Sequence, residues 1–361
     1  MKLVADSGLW STGPPVAPGP LVAVLEVSGA VLAWSIDDSG AASITFTDLA
    51  RADWLWRVLG EPGHSAPAAA VNERLPHDAQ TIDVNGVAVL PGSVDQLRRL
   101  ALGHWMRRWW PASHRDGIAA LDGALVDAEI ALLTAAAQHF FADDTIDSDV
   151  AGLLAPHTAA LNAHVQGGDP RVVELVRAAS ELTDDVGIVL VEPAPTRRRD
   201  DYALAAGADR RQRAAGAIAR GTDSIRWAGV PPAVFDAAEN TIEWVVEAAT
   251  PGANAVVDVE LSGGDSPSGI PVRLRSGVLS GAAVLDDRGQ AMFGLIDDQR
   301  QPVAESTAWN HDWEGTSVTV GADVDESPET RLRVRDFARA RLAAPVGDAY
   351  LAEILAAESD Y

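Results

Sequence analysis

The chain has 361 residues, of which 47% are hydrophobic and 22% charged, so it is long enough for two or three domains with cores of their own. Its formal net charge of −24 disfavours nucleic acid and anionic membrane surfaces as partners. Because the sequence contains no cysteine, disulfides, thiolate-bound metals and a cysteine nucleophile are excluded.

Composition and hydropathy together predict the compartment. Lysine is nearly absent, whereas Arg, Ala, Asp and Val are abundant, which is typical of GC-rich bacterial genomes. The first residues contain no apolar run of signal-peptide length, and no later segment reaches the roughly 18 uninterrupted apolar residues of a membrane span. We therefore predict a cytoplasmic bacterial protein that does not bind membranes.

Residues 1–92 predict a small α+β unit, because short apolar strands alternate with turn-forming residues. The predicted elements are a hairpin of residues 21–27 and 30–36, a strand at 42–46, a helix ending at Leu59, a loop over 61–80 and a hairpin turn at 84–87.

Residues 93–191 predict a helical domain, because apolar side chains recur there at three- and four-residue spacing. Ser93 and Gln96 have the spacing of a capping box at the first helix. The predicted helices cover residues 93–109, 121–141, 148–164 with a break at Pro156, and a segment that begins at Pro170.

An Arg-rich segment, residues 192–220, predicts an exposed linker to a C-terminal domain at 221–361. That domain contains apolar runs separated by Gly, Ser, Pro and Asp, a pattern typical of a small β-sandwich. The predicted strands are residues 225–230, 241–248, 255–261, 269–277, 280–285, 291–296 and 316–320, with closing helices at 328–342 and 349–357. The predicted fold class is therefore multidomain α+β.

One cluster of aromatic and cationic residues is a candidate binding site. Tryptophan and arginine are enriched at protein interfaces, where they bury large surfaces and form cation–π contacts. The alternative is that tryptophans four residues apart pack into the core of a helical domain. The candidate binding residues are Trp105, Arg107, Arg108, Trp109 and Trp110.

Candidate catalytic residues are few. His311 and Asp312 lie between two tryptophans and form the most site-like histidine arrangement, although a loop packed on a sandwich explains the pattern equally well. The acidic residues 143–149 lack the glycine and the distal glutamate of a calcium loop. Nucleophile-elbow and nucleotide-binding motifs are missing, so neither a cofactor nor a metal ion is predicted.

Residues 266–296 resemble the carboxypeptidase-regulatory or transthyretin-like β-sandwich. The resemblance is carried by a strand at residues 269–274, a turn at 282–289 and a strand at 291–293. It covers about a tenth of the chain and implies a fold, not an activity.

Two functions remain open from the sequence. The first is a non-enzymatic adaptor or scaffold that mediates protein–protein interaction in a bacterial multi-component system. The alternative is a hydrolase that uses carboxylate and histidine chemistry, including His311 and Asp312, in a cleft between domains. Small-ligand binding by the helical domain is a third, weaker hypothesis. The sequence does not indicate an oligomeric state.

Overall fold

The structure is a computed structural model that describes residues 1–13, 16, 18–38, 40, 42–72, 81–141, 147–185, 216–250 and 252–359. Its strands are β1 (Lys2–Asp6), β2 (Leu9–Ser11), β3 (Val22–Val27), β4 (Ala30–Ser35), β5 (Ser43–Phe46), β6 (Thr81–Asp83), β7 (Ala217–Asp223), β8 (Ile242–Ala249), β9 (Gly252–Val259), β10 (Pro271–Ser276), β11 (Leu279–Val284), β12 (Gln290–Gly294) and β13 (Ser317–Val320).

The α-helices lie mainly between β6 and β7 and after β13. They are α1 (Leu55–Leu59), α2 (Glu61–Asn72), α3 (Asp95–Trp109), α4 (Gly123–Phe141), α5 (Asp147–Leu154), α6 (Thr158–Gly167), α7 (Pro170–Asp185), α8 (Glu305–Asn310), α9 (Pro328–Ala343) and α10 (Leu351–Ser359). Mixed helices and antiparallel sheets confirm the predicted α+β class.

The chain divides into two compact units. The first comprises the described residues of Met1–Trp109, Leu121–Pro193 and Glu329–Tyr361, and the second those of Trp110–Ala120 and Ala194–Pro328. The sequence separated residues 1–92 from 93–191, whereas β3 packs on α3 and both belong to the first unit. Residues 329–359, predicted with the sandwich domain, also belong to the first unit.

The first unit contains a six-stranded antiparallel sheet in the order β3-β4-β5-β2-β1-β6. Its β3–β4 turn requires a glycine, because Gly29 has a φ of 72° and a Cβ there would overlap the Asp48 carbonyl oxygen. Asp48 accepts a hydrogen bond from the Ala50 N–H and caps the short turn of 3-10 helix after β5. The predicted hairpin and the strand after it are confirmed as β3, β4 and β5.

Two predictions in this region are wrong. Residues 61–72 form α2 instead of a loop, although Pro67 lies inside the helix. Pro62 lies in the first turn, where a missing N–H is tolerated, and helix-forming alanines follow at 68–70. Residues 73–80 lie outside the described part of the chain. The turn at residues 84–87 does not join two strands, because β6 pairs with β1 and the Val84 N–H donates to the Met1 carbonyl.

The predicted helices of residues 93–191 are confirmed as α3 to α7, with a turn of 3-10 helix at Ala155–His157 around the predicted break. Asp122 caps α4 by accepting from the N–H groups of Ala124 and Leu125. The predicted capping box is not formed, because α3 begins at Asp95 and no hydrogen bond joins Ser93 and Gln96 within the described residues; the Ser93 hydroxyl donates to the Leu90 carbonyl instead.

A buried ion-pair network joins the C-terminal helices to the rest of the first unit. Glu353 is fully buried and accepts from the Arg341 guanidinium, with its oxygens 2.5 and 2.7 Å from Nε and Nη2, and from the Tyr350 N–H. Glu129 of α4 pairs with Arg99 and accepts from the Leu351 N–H. Burial raises the pKa of Glu129, although the Leu351 N–H and Arg99 oppose that shift.

The second unit contains two antiparallel sheets, β12-β9-β8-β7 and β11-β10-β13. None of the three sheets in the described residues closes into a barrel. The predicted strands from residue 241 onward are confirmed with shifts of a few residues. Residues 225–230 are not a strand, because Trp227–Gly229 form a turn of 3-10 helix. Of the predicted linker, residues 192–215 lie outside the described part of the chain, and 217–220 form the start of β7.

Asp236 holds residues 110–120 in the second unit. Its carboxylate is buried and accepts from the Ser113 hydroxyl at 2.6 Å, the His114 N–H at 2.8 Å and the Ala238 N–H at 2.9 Å. A carboxylate with several donors stabilises a segment that has little regular structure of its own. Residues 110–120 therefore leave the helical domain in which the sequence placed them.

Within the described residues, no helix is both long enough and apolar enough to cross a membrane.

The buried network predicts a large effect for Glu353→Gln. The substitution leaves the buried Arg341 without its closest carboxylate, so we expect the free energy of unfolding to fall by about 3–5 kcal/mol in urea denaturation. Glu358→Gln is the matched control, because Glu358 pairs with Arg171 at an exposed position, where ion pairs contribute little. Equal stability of the two variants would contradict the role assigned to Glu353.

Candidate functional site

Trp105, the first of the predicted binding residues, is part of the core. Its ring is 2% exposed, packs edge-on against Phe337 at a centroid distance of 5.3 Å, and donates from Nε1 to the Pro20 carbonyl. Since this ring faces the interior, it is not available to a partner. The helical spacing of the tryptophans is compatible with a binding surface or with core packing, and for Trp105 the structure shows core packing.

The other predicted binding residues do not form one surface. The Arg108 guanidinium lies over the half-buried Trp109 ring, 4.2 Å from its centroid. Arg107 turns towards Asp127, with Nε 2.7 Å from Oδ1. Trp110 belongs to the second unit, where its Nε1 donates to the Ala119 carbonyl. The structure therefore brings together only Arg108 and Trp109 of the five.

The tryptophans of the chain do not form an exposed aromatic patch. Of the eleven tryptophans, all in the described residues, only Trp56 and Trp309 are exposed, and they belong to different units. A contiguous apolar patch of several tryptophans would have supported an adaptor directly. Support for that function must come from another surface.

His311 and Asp312, the candidate catalytic residues, have separate structural contacts. His311 Nε2 lies 2.9 Å from the hydroxyl of Ser276, which also accepts from Thr316. Asp312 accepts from the Glu314 N–H and so stabilises a turn. A serine beside a histidine is a potential nucleophile, but Ser276 is 1% exposed and a substrate has no access to it. The contacts of His311 and Thr316 with Ser276 hold the loop before β13 against β10.

The described residues contain no group of three or more histidine and acidic side chains arranged to hold a metal ion. Most of the acidic run examined for calcium binding, residues 142–146, lies outside the described part of the chain. Residues 147–149 form the start of α5.

The outward side of the three-stranded sheet carries unpaired positive charge. Along β10, Val272 and Leu274 are buried, whereas Arg273 and Arg275 are exposed on the opposite side. Arg226 reaches the same side, because its Nη1 lies 3.4 Å from the Thr319 hydroxyl opposite Arg273. None of these three arginines makes an ion pair within the described residues.

The remaining residues of this side are small or neutral. Directly paired residues of antiparallel strands point to the same side, so the sheet register identifies them. They are Pro271, Ser280, Ala282, Val284, Ser317 and Thr319. We call this surface, together with its three arginines, the arginine face. No paired position on it carries a carboxylate, although acids outnumber lysine and arginine 52 to 28 in the chain.

Each edge of this sheet has one position that is already bonded. On β13, the Val318 N–H donates to Asp223 Oδ2 at 2.9 Å. On β11, Ser280 exchanges backbone hydrogen bonds with Ile296. Because the free N–H groups of an edge strand are the usual sites for strand addition, these bonds disfavour a further strand there and leave the face of the sheet as its accessible surface.

The sequence contained a signal for the arginine face that the motif search missed. In residues 271–276, PVRLRS, apolar residues alternate with arginines. Because alternate residues of a strand point to opposite sides, Arg273 and Arg275 lie on the side away from Val272 and Leu274. What the sequence did not show is which strands flank β10, and thus that both arginines face small neutral residues.

The different positions of Trp105 and Trp109 predict different effects on stability. Trp105→Ala removes a buried ring and a buried hydrogen bond, so we expect the free energy of unfolding to fall by about 3–5 kcal/mol. Trp109→Ala, the matched control on the same helix, removes a half-buried ring and is expected to cost clearly less. Urea denaturation measures both. Similar losses in the two variants would contradict the core position of Trp105.

The chain matches no protein-family model, no curated protein and no solved structure.

Proposed function

We propose that the protein is a non-enzymatic adaptor that binds an acidic surface of a partner protein on its arginine face. The observation that supports this function is the set of Arg226, Arg273 and Arg275 on an open sheet face, without ion-pair partners in the described residues. Arginine is enriched at interfaces because its planar guanidinium donates two parallel hydrogen bonds to a carboxylate.

The neutral surroundings make these arginines accessible. Ala282, Ser280 and Thr319, which flank them on the neighbouring strands, have short side chains that do not cover the guanidinium groups. No carboxylate at the paired positions competes for them. A partner carboxylate therefore replaces water at these groups without first breaking an internal ion pair.

The charge of the rest of the chain favours one orientation of such a partner. With a net charge of −24, most of the protein surface repels an acidic partner. The arginine face attracts it, so charge complementarity selects both the partner and the docking position. Nucleic acid is a weaker expectation, because its extended phosphate backbone would meet the acidic surface as well.

We also propose that the two sheets of the second unit form a β-sandwich, as the resemblance of residues 266–296 implies. Two contacts support this. A Cβ at Gly281 of β11 would approach the Phe293 ring of β12 to 2.5 Å, and Asp223 of β7 accepts from β13. The sandwich leaves one side of β10, β11 and β13 for display.

The cytoplasm of a bacterium, within a multi-component system, remains the proposed location, supported by the absence of cysteine. The hydrolase hypothesis is less favoured, since the described contacts of His311 and Asp312 are those of a packed loop.

A charge-reversal experiment tests the adaptor function. We expect Arg273→Glu/Arg275→Glu to lose proteins that the wild-type chain retains in quantitative co-purification from a nuclease-treated host lysate. The variant should also bind a fluorescent oligoglutamate peptide about tenfold more weakly or worse, because acidic groups would then face an acidic probe. Fluorescence anisotropy measures the second effect.

The matched control is Arg288→Glu/Arg300→Glu, which makes the same change in charge at exposed turns of the same unit. It should retain both the proteins and the peptide. Loss in both double variants would mean that only the net charge matters, and equal retention in both would exclude the arginine face. Material that is captured only without nuclease would identify nucleic acid as the ligand instead.

A further inference from the structure

A cleft of about 750 Å³ lies within the first unit, between the edge strand β3 and the helices α3, α4 and α5. One end is formed by the β3–β4 turn, where the Ser28 hydroxyl donates to the Arg51 carbonyl. This volume suits a small organic molecule. The cleft is independent of the arginine face, which belongs to the second unit.

Basic residues outnumber acidic ones in the lining of the cleft. They are Arg51, His104 and Arg107, and Glu26 is the one acidic residue among the lining residues. Arg51 is exposed and makes no ion pair within the described residues. Because the chain as a whole is strongly acidic, a cavity lined by more basic than acidic residues favours a negatively charged ligand.

Arg107 is held in a fixed orientation. Its Nε lies 2.7 Å from Oδ1 of Asp127, a carboxylate whose side chain is 6% exposed. The other oxygen of Asp127 lies 2.9 Å from His157 Nε2. Since Nε is the nitrogen that faces Asp127, the two terminal nitrogens of Arg107 remain to bind a ligand, and the ionic contact with a buried carboxylate restrains the exposed guanidinium.

Apolar side chains line one part of the cleft. Leu100, Phe141 and Leu153 come from three different helices and line it together. Thr134 also lines the cleft, and its hydroxyl has no hydrogen-bond partner within the described residues. A ligand with an apolar or aromatic body would bury that body against these side chains while its charged end meets the arginines.

We infer that this cleft binds a small amphipathic anion, with a carboxylate or a phosphate monoester at Arg107 and Arg51 and an apolar body against Phe141 and its neighbours. The anion receives the paired donors of one oriented guanidinium and the charge of a second. A neutral molecule of the same shape gains only the apolar contact.

Matched probes test this site by isothermal titration calorimetry on the full chain. Phenyl phosphate and benzoate carry the two anionic groups on one ring, and benzyl alcohol is the neutral control. We expect at least one anion to bind, and the alcohol to bind at least tenfold more weakly. A preference for phenyl phosphate or for benzoate identifies which anionic group the site takes.

Three variants locate the binding. Arg107→Gln is expected to weaken the anion about tenfold or more, and Arg51→Gln to weaken it by a smaller factor. Arg177→Gln, at an exposed position of α7, is the matched control and should bind as the wild type does. Arg51 is exposed, so Arg51→Gln tests the site even if Arg107→Gln, which leaves the buried Asp127 without its arginine, fails to fold.

The inference is overturned if neither anion binds, if benzyl alcohol binds as tightly as the anions, or if the folded Arg51→Gln and Arg107→Gln variants both bind like the wild type. It is also overturned if Arg107→Gln does not fold and Arg51→Gln binds unchanged.

Discussion

The buried pair of Arg341 and Glu353 is the interaction on which the first unit most depends. Both side chains are in the interior, so neither is stable there without the other. Their pairing places Tyr350 against α3, where a Cβ at Gly103 would overlap the Tyr350 hydroxyl. The two C-terminal helices are therefore fixed by complementary charge and by close packing, and the hydrophobic core beneath them is completed by residues more than 200 positions away in sequence.

Charge is informative in this protein because it is so unevenly distributed. Acidic side chains are the default on the surface, and an exposed carboxylate carries no functional meaning there. Accessible arginines stand out against this background. They lie on the outward side of β10 in the second unit, where none makes an ion pair within the described residues, and at the cleft in the first unit, where Arg51 makes none and Arg107 contacts Asp127. The two proposals rest on the same physical contrast, applied to different chemistry: an extended sheet face for a protein, and a cleft for a small anion.

Local sequence patterns predicted the secondary-structure elements of this chain well, but they did not predict which elements come into contact over long distances in sequence. Alternation in residues 255–296 predicted β9 to β12, and helical spacing predicted α3, α4 and α7, because burial of one face acts directly on neighbouring residues. The loop predicted over residues 61–80 is wrong for residues 61–72, which form α2 with Pro62 in its first turn and Pro67 inside it. The tryptophan cluster shows a different limit of local patterns. Trp105 and Trp110 are five residues apart, yet the chain passes from one unit to the other between them.

The division of the chain has a consequence for its synthesis. All segments of the second unit precede residue 329, whereas the first unit needs α9 and α10, which leave the ribosome after the whole of the second unit. Domains commonly fold in the order in which they emerge. Here the sheet and helices of the first unit must wait, with part of their apolar surface uncovered, until α9 and α10 have emerged. A nascent chain stalled before α10 therefore exposes the surface that Tyr350 and its neighbours normally cover.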